Sequence, residues 1–438
     1  MSKHSSKPLK AIRVNSFFTG IGGFDLGFEK AGFEVNLQCE INEFCIKILE
    51  DRYPNVKRFP DVKSIKIEDI PDADIWCAGF PCQDVSVARG SMGRDGLKGK
   101  NSGLFYDFLN LISQKKPEMV LIENVTGLLN SHNGNDFKIV IQSLTSLGYG
   151  VSWRVLNTKY FGTPQSRPRV YISAWLNNLE KAVYSLHEFV RSVKVSNQRI
   201  DFLSAQKNNS LGITVPKTAY CLAASSGRHT GTDWSRTYVS YYNKVRRLTP
   251  DESEGLQGFP KGWTIPINVK EMKKISDIDT LRYHAIGNAV SVPVIVWIAC
   301  RIKEIKGKKT LNKGVQKILK KFPDFSQPDI RTQFFSTLNS ETLFKDEEPK
   351  KIKWNNGGLA FVDEVIDANI YNCPSYAIDS NLIDIIEEDV KDSKYFLSPS
   401  AARGIIRRVE SQNRKLFTPL MNALIKLANS DAKSLARF

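Results

Sequence analysis

AIRVNSFFTGIGGFDLGFEKAGFEVNLQCE, residues 11–40, is the stretch on which the fold is decided. Residues 11–18 are a short apolar run, expected as a buried strand. Gly20, Gly22 and Gly23 follow it, at the point where the chain needs a tight turn and a close backbone approach. Residues 24–31 read as a helix with Gly32 at its C-terminal stop. Residues 35–39 form a second strand ending at Glu40. Strand, glycine turn, helix and strand in this order open a parallel sheet.

The same alternation continues to about residue 175. Phe44, Cys45, Ile48 and Leu49 give an apolar stripe at helical spacing, closed by Tyr53-Pro54. Residues 73–78 are a strand that runs into Gly79-Phe80-Pro81-Cys82-Gln83. Leu104, Phe105, Phe108, Leu109 and Ile112 form a helical face. Residues 119–123, 151–156 and 169–174 are expected as strands and 137–147 as a helix. The fold class is α/β, with a mostly parallel doubly wound sheet. Such sheets bind ligands at the carboxyl ends of their strands. The glycines 20–23, Glu40, Pro81-Cys82 and Glu123-Asn124 all fall there.

The rhythm is lost over residues 176–246, which are rich in Ser, Thr, Asn, Tyr, Arg and Lys, as in SSGRHTGTDWSRTYVSYYNKVRR. It returns over 248–302. A lysine-rich stretch, 303–322, leads to a C-terminal extension with two expected helices, opened by Ser398-Pro399 and Thr418-Pro419.

The composition, 41% hydrophobic and 25% charged over 438 residues, is that of a globular protein with one large domain and one or two smaller ones. No uninterrupted run of about 20 apolar residues is present. The first residues, MSKHSSKPLK, lack the apolar centre of a signal peptide. A cytoplasmic protein is expected. The net charge of +16 favours a polyanionic partner. The seven cysteines form no CxxC pair and the five histidines are scattered, so no metal site is expected. Most of the thiols should be small core residues, and Cys82 has to be judged by its context.

Four features carry chemistry. The glycine turn with Glu40 at the end of the next strand suits an adenosine-containing ligand, because a carboxylate there can accept both ribose hydroxyls. A plain structural turn is the alternative. Cys82 lies in a loop at the ligand end of the sheet, where a thiolate can be reached. Glu123 follows a strand, where a partly dry pocket would favour its protonated form. Arg167 and Arg169 flank Pro168 and offer guanidinium forks, although alone they are a basic loop.

In series, FFTGIGGFDLGF, GFPCQDVS, SGLFYDF, ENVTGLL, QSRPRVY, RRLTPDESEGLQGFP and AIGNAVSVPV resemble the cytosine-C5 DNA methyltransferases, from about residue 14 to 301 with 176–246 excluded. One departure is visible: the family usually has Asp-Leu-Phe before the first glycine, and here the residues are Ser16-Phe17-Phe18. The resemblance implies the S-adenosylmethionine-dependent methyltransferase fold and S-adenosylmethionine as methyl donor, with no metal. It implies that Cys82 adds to cytosine C6. Glu123 would contact N3 and the exocyclic amine, and Arg167 the base carbonyl oxygen with Arg169 nearby. Phe18 would stack on adenine, the backbone of Gly20, Gly22 and Gly23 would lie near the methionine part, and Glu40 would bind the ribose. Asp61 and Val62 would sit at the adenine edge. Pro81 and Leu104 would line the pocket, and Asn288-Ala289 would close it.

The resemblance also divides the chain: a tail at 1–10, a catalytic and cofactor-binding domain at 11–175, and a target-recognition domain at 176–246. A return segment at 247–302 would fold back beside the first strand to complete the sheet. Residues 303–438 would be a basic linker and a helical extension of unknown role. The glycine-rich, cationic segment 86–100 would close over a flipped base, and the loop from Arg228 to Arg236 would contact DNA. The implied partner is double-stranded DNA, with a companion restriction endonuclease in a restriction–modification or phage setting, and the implied state is a monomer. An RNA cytosine methyltransferase on the same scaffold is the alternative; that branch carries Cys-Phe-Thr in its target domain, and here the only cysteine of that region is in Tyr220-Cys221-Leu222. A non-catalytic DNA-binding relative would be expected to have lost Cys82, Glu123 or the arginines.

Overall fold

The computed structural model describes residues 11–81, 103–188, 201–226, 233–267, 278–306, 331–335 and 352–430. Cys82, the segment 86–100, Arg228 and most of the lysine-rich stretch lie outside them. A ten-stranded sheet forms the centre. Its parallel part comprises β1 (Arg13–Phe17), β2 (Glu34–Cys39), β3 (Lys57–Phe59), β4 (Ile75–Ala78) and β5 (Met119–Val125), in the order β5-β4-β1-β2-β3. Next to β5 lies β7 (Pro168–Leu176), antiparallel to it, and then β6 (Tyr149–Asn157).

Both faces of the parallel part are buried, so the strands alternate between two cores rather than between core and water. Phe17, Trp76, Val120 and Ile122 point to one side, against α3 (Leu104–Lys115) and α4 (Asn135–Ser146). Val14, Ile75, Cys77, Met119 and Leu121 point to the other, against α1 (Gly23–Lys30), α5 (Leu179–Leu186) and α8 (Val292–Lys306). Between strands β2 and β3 the chain makes α2 (Glu43–Arg52), whose N-cap Asn42 accepts from the Cys45 amide.

A second, antiparallel sheet, ordered β11-β10-β9-β8, consists of β8 (Ala205–Asn208), β9 (Ile213–Pro216), β10 (Tyr238–Ser240) and β11 (Val245–Arg247). Next come α6 (Pro250–Gln257), opened by a capping box between Thr249 and Glu252, and α7 (Ile278–Asn288). The expectation that residues 247–302 add a strand beside β1 is corrected. The neighbours of β1 are β2 and β4, and the segment returns as helix α8, packed on α1 and α5. Gly27 makes the α1 contact possible, since a Cβ there would lie 2.5 Å from Ile295. By length and composition Ile278–Lys306 could cross a membrane, which no unbroken apolar run had suggested. The chain breaks helix after Asn288, however, and 67% of the most apolar window is buried inside the molecule. It is a core helix.

The C-terminal extension is helical only in part. β12 (Arg331–Phe334), β13 (Gly357–Phe361) and β14 (Glu364–Ala368) extend the central sheet past β6, all antiparallel. The two expected helices follow, α9 (Pro399–Ser411) and α10 (Thr418–Ala428). Ser398 caps α9 by accepting from the Ala401 amide, whereas Thr418 lies one residue inside α10.

Candidate active site

The carboxyl ends of β1, β2, β4 and β5 converge on one edge of the sheet. After β1, Phe18 takes a left-handed conformation (φ 53°), and its half-buried ring meets Phe108 edge-on at 6.3 Å. The turn then places the Gly20 amide on Glu40, donating to Oε2 at 2.6 Å, while Asn42 donates to Oε1 at 2.8 Å. Burial pushes the Glu40 carboxyl above its ordinary value, opposed by these backbone donors. A Cβ on Gly20 would meet nothing within 4 Å, so the turn faces open space there. Gly23 differs: a Cβ would sit 2.6 Å from the Val290 carbonyl, and its smallness serves helix packing. Gly22, at φ 85°, is the N-cap of α1 and backs onto Tyr53 and Leu49.

Beneath the turn lies a buried polar network. The Ser16 hydroxyl donates to Asp25 at 3.0 Å and Gln38 donates to it at 2.8 Å; Arg58 in turn donates to Gln38. Burial raises the Asp25 carboxyl to about 6, against the hydrogen bonds from Gln38 and Ser16. Ser16 thus finds its acidic partner on α1.

The other expected ligand contacts spread around the same edge. Asp61 accepts from the Lys63 amide at the head of a short 3-10 turn, and Val62 is buried against Phe17 and Phe105. Pro81 is half-buried behind Phe80, and Leu104 opens α3. Asn124 donates to the Phe80 carbonyl at 3.4 Å, tying the end of β5 to the Phe80-Pro81 segment that leads to Cys82. Asn288 is exposed at the end of α7, and Ala289 is buried.

Strand register separates the two arginines. Glu123 on β5 faces Tyr171 on β7, so Arg169, two residues earlier on the same face, is its diagonal neighbour. Arg169 Nε lies 3.2 Å from Glu123 Oε1, with both side chains largely buried. This ion pair lacks hydrogen-bond geometry, and Oε1 has no hydrogen-bond donor. Burial raises the Glu123 carboxyl, partly offset by the charges of Arg169 and Arg167. Arg167 precedes β7 and points elsewhere. Its guanidinium donates to the carbonyls of Leu222 (2.8 Å), Gly287 (3.0 Å) and Ala289 (2.8 Å). It therefore clasps the return segment to the stretch that enters the second sheet.

One neighbour was not singled out from the sequence. Cys221 Sγ lies 3.6 Å from Arg167 and 3.8 Å from Arg169. Desolvation raises its thiol, but the two guanidinium charges outweigh that and the net shift is downward. Its only sequence signal was a cysteine in a polar region. Gln165 holds this stretch in place, accepting from the Leu222 amide and donating to Leu256.

This edge thus joins an open glycine turn with a carboxylate, a buried acid beside a guanidinium, and the strand end that precedes Cys82. Comparison with known proteins agrees with it. A family model described as C-5 cytosine-specific DNA methylase matches residues 12–212 and 194–304. The Type II methyltransferase M.NgoBI of Neisseria gonorrhoeae is 34% identical over 295 residues, covering 64% of this chain and 89% of that protein. The Type II methyltransferase M.HaeII of Haemophilus aegyptius is 34% identical over 308 residues, covering 66% and 92%. Among solved structures, the S. pombe Dnmt2 methyltransferase is 18% identical, covering 68% of this chain and 100% of that one at a TM-score of 0.49. The chain belongs to the C-5 cytosine-specific DNA methylase family.

Proposed function

We propose that this protein methylates C5 of a cytosine extruded from a specific DNA duplex, in a restriction–modification or phage-protection setting, beside an endonuclease of the same specificity. The observation that carries this reading is the buried Glu123–Arg169 pair at the mouth of the sheet, joined through Asn124 to the segment that presents Cys82. Cytosine C5 is a poor nucleophile. Addition of the Cys82 thiolate to C6 makes an enamine of the ring, which splits one hard step into easier ones. Glu123, favoured in its protonated form by burial, donates to N3 and stabilises the charge that develops there. Its second carboxyl oxygen would accept from the exocyclic amine.

Arg169 is the guanidinium that would meet the base carbonyl oxygen. Arg167, spent on three main-chain carbonyls, is the positioning residue behind it. The residues around the glycine turn fit S-adenosylmethionine: open space at Gly20, a carboxylate at Glu40 and a half-buried ring at Phe18. When bound, S-adenosylmethionine supplies the methyl group as a sulfonium electrophile. A base then takes the C5 proton and the thiolate leaves. Extrusion of the base costs roughly a few kcal/mol, and segment 86–100 would close over it. The second sheet is the target-recognition module and the protein acts as a monomer.

A duplex carrying 5-fluorocytosine tests the reading, because fluorine cannot be eliminated. A covalent adduct that requires S-adenosylmethionine and is lost in Cys82→Ser is expected. Trapping on RNA with none on any duplex would transfer the activity to the RNA reading. Bisulfite sequencing of DNA from cells expressing the protein identifies the target sequence.

A further inference from the structure

The family match ends at residue 304, but the chain goes on to build a helical hairpin, α9–α10, on the second sheet. Its inner face is apolar. Ala402, Ile405 and Val409 of α9 and Leu420, Ala423, Leu424 and Leu427 of α10 share one core with Tyr238 of β10 and Val245 of β11. Its outer face is cationic. Residues 398–430 hold six Lys and Arg and one carboxylate, Glu410. Arg403, Arg407, Arg414 and Lys415 are exposed, and among the described residues no carboxylate lies within ion-pair distance of Arg407, Arg414 or Lys415.

The turn of the hairpin is fixed to the polar segment that leads back to the active site. Trp234 Nε1 donates to Gln412 at 2.9 Å, and the Arg414 guanidinium stacks 4.5 Å over the Trp234 ring. Just beyond Trp234, Ser235, Arg236 and Thr237 line a small recess that Cys221 also lines. Cys221 touches Arg167 and Arg169. A chain of contacts therefore links the hairpin, through segment 234–237 and Cys221, to the arginines beside Glu123.

A solvated cationic face needs no fixed geometry. Here the exposed Arg414 guanidinium is held 4.5 Å over an indole, and a guanidinium held on an aromatic face suits phosphate oxygens. Resting on the reading of the second sheet as the target-recognition module, we propose that α9–α10 is a second DNA-contacting element, with Arg407, Arg414 and Lys415 gripping backbone phosphates that flank the target sequence. Phosphate grips position a duplex without reading bases, so the hairpin adds affinity and leaves the recognised sequence unchanged.

The test uses the full chain with Arg407→Ala, Arg414→Ala and Lys415→Ala combined, and a labelled duplex of about 30 bp centred on the site found by bisulfite sequencing. Affinity is read by fluorescence anisotropy across a salt series. Each phosphate grip contributes roughly 1 to the log–log salt slope. The expected result is a slope lower by about 3 and at least tenfold weaker binding at ~0.1 M salt. Maximal methylation at saturating DNA and the melting temperature should be unchanged. Arg407→Lys with Arg414→Lys and Lys415→Arg should restore the slope, which a purely structural role would not predict. Trimming the flanks should weaken the wild type and leave the alanine variant unaffected. Lys30→Ala with Lys115→Ala and Lys116→Ala, at the C-terminal ends of α1 and α3, controls for the loss of three charges. A wild-type protein that methylates the site while the triple variant keeps its affinity and slope would overturn the proposal. A wild-type protein that methylates no duplex would instead overturn the DNA reading itself.

Discussion

Arg167 and Arg169 stand two residues apart, and the local structure gives their guanidinium groups different work. Arg169 enters β7 on the face shared with Glu123; Arg167 is held just before the strand by its own amide, which donates to Asn157 at 2.9 Å. Arg169→Lys keeps a charge but loses the fork. It should cut methyl transfer roughly 10²-fold or more while the melting temperature moves by no more than about 2 °C. Arg167→Ala leaves three buried carbonyls without a donor, on the order of 3 kcal/mol or more. Its melting temperature should fall by roughly 5 °C or more. Calorimetry and single-turnover kinetics on the two variants separate the roles, and the same melting temperature for both would refute the division. Asp25 gives a pH prediction. Its carboxyl is raised from 3.8 to about 6 by burial, so its contribution to stability is fully present below about pH 4 and is lost as the pH rises through 6. Asp25→Asn should remove that decline. Melting curves from pH 4 to 7 should diverge from the wild type with rising pH, and parallel curves would show that Asp25 titrates normally.

Elements explain which parts of the site were legible in advance. The β1 turn announced itself because glycines after an apolar run have few other uses, and Glu40 came with it. What the glycines do individually was not legible, since that depends on residues about 270 positions away, at Val290. The difference is measurable. Gly23→Ala drives a methyl group into the Val290 carbonyl and should destabilise the fold by about 1–3 kcal/mol. Gly20→Ala meets open space and carries only the cost of its positive φ, about 1 kcal/mol, yet it should weaken S-adenosylmethionine binding at least tenfold in titration calorimetry. Equal effects of both on stability would count against an open ligand face at Gly20. Segment 247–302 returns as a helix and not a strand, and its sequence does not distinguish the two because a fully buried helix is as uniformly apolar as a buried strand. Val294, Ile295, Ile298, Ala299 and Ile302 fit both patterns until α1 and α5 are in place around them.

At the scale of the molecule, the central sheet extends beyond the family's own sequence. β6 is nine residues long, buried throughout, and would be an edge without β13. The strands that cover it were hard to read because β13 begins Gly357-Gly358, a pair that suggests a loop. The reason lies in packing: a Cβ on Gly358 would come within 2.1 Å of the Trp153 ring. A protein ending at Lys306 retains every matched motif but bares this edge and uncovers Trp153, which otherwise packs against Trp354 at 5.8 Å. Long apolar edges template aggregation. The truncated protein should therefore sediment as aggregates where the full chain is monodisperse, and a monodisperse truncation would show that the extension is dispensable for the sheet.

The late arrival of β13 also has a consequence in time. A ribosome must add about 200 residues between the end of β6 and the start of its partner, which at roughly 5–20 residues per second takes about 10–40 s. Throughout that interval the nascent protein carries its matched motifs on an unfinished sheet, with the β6 edge bare until β13 is made.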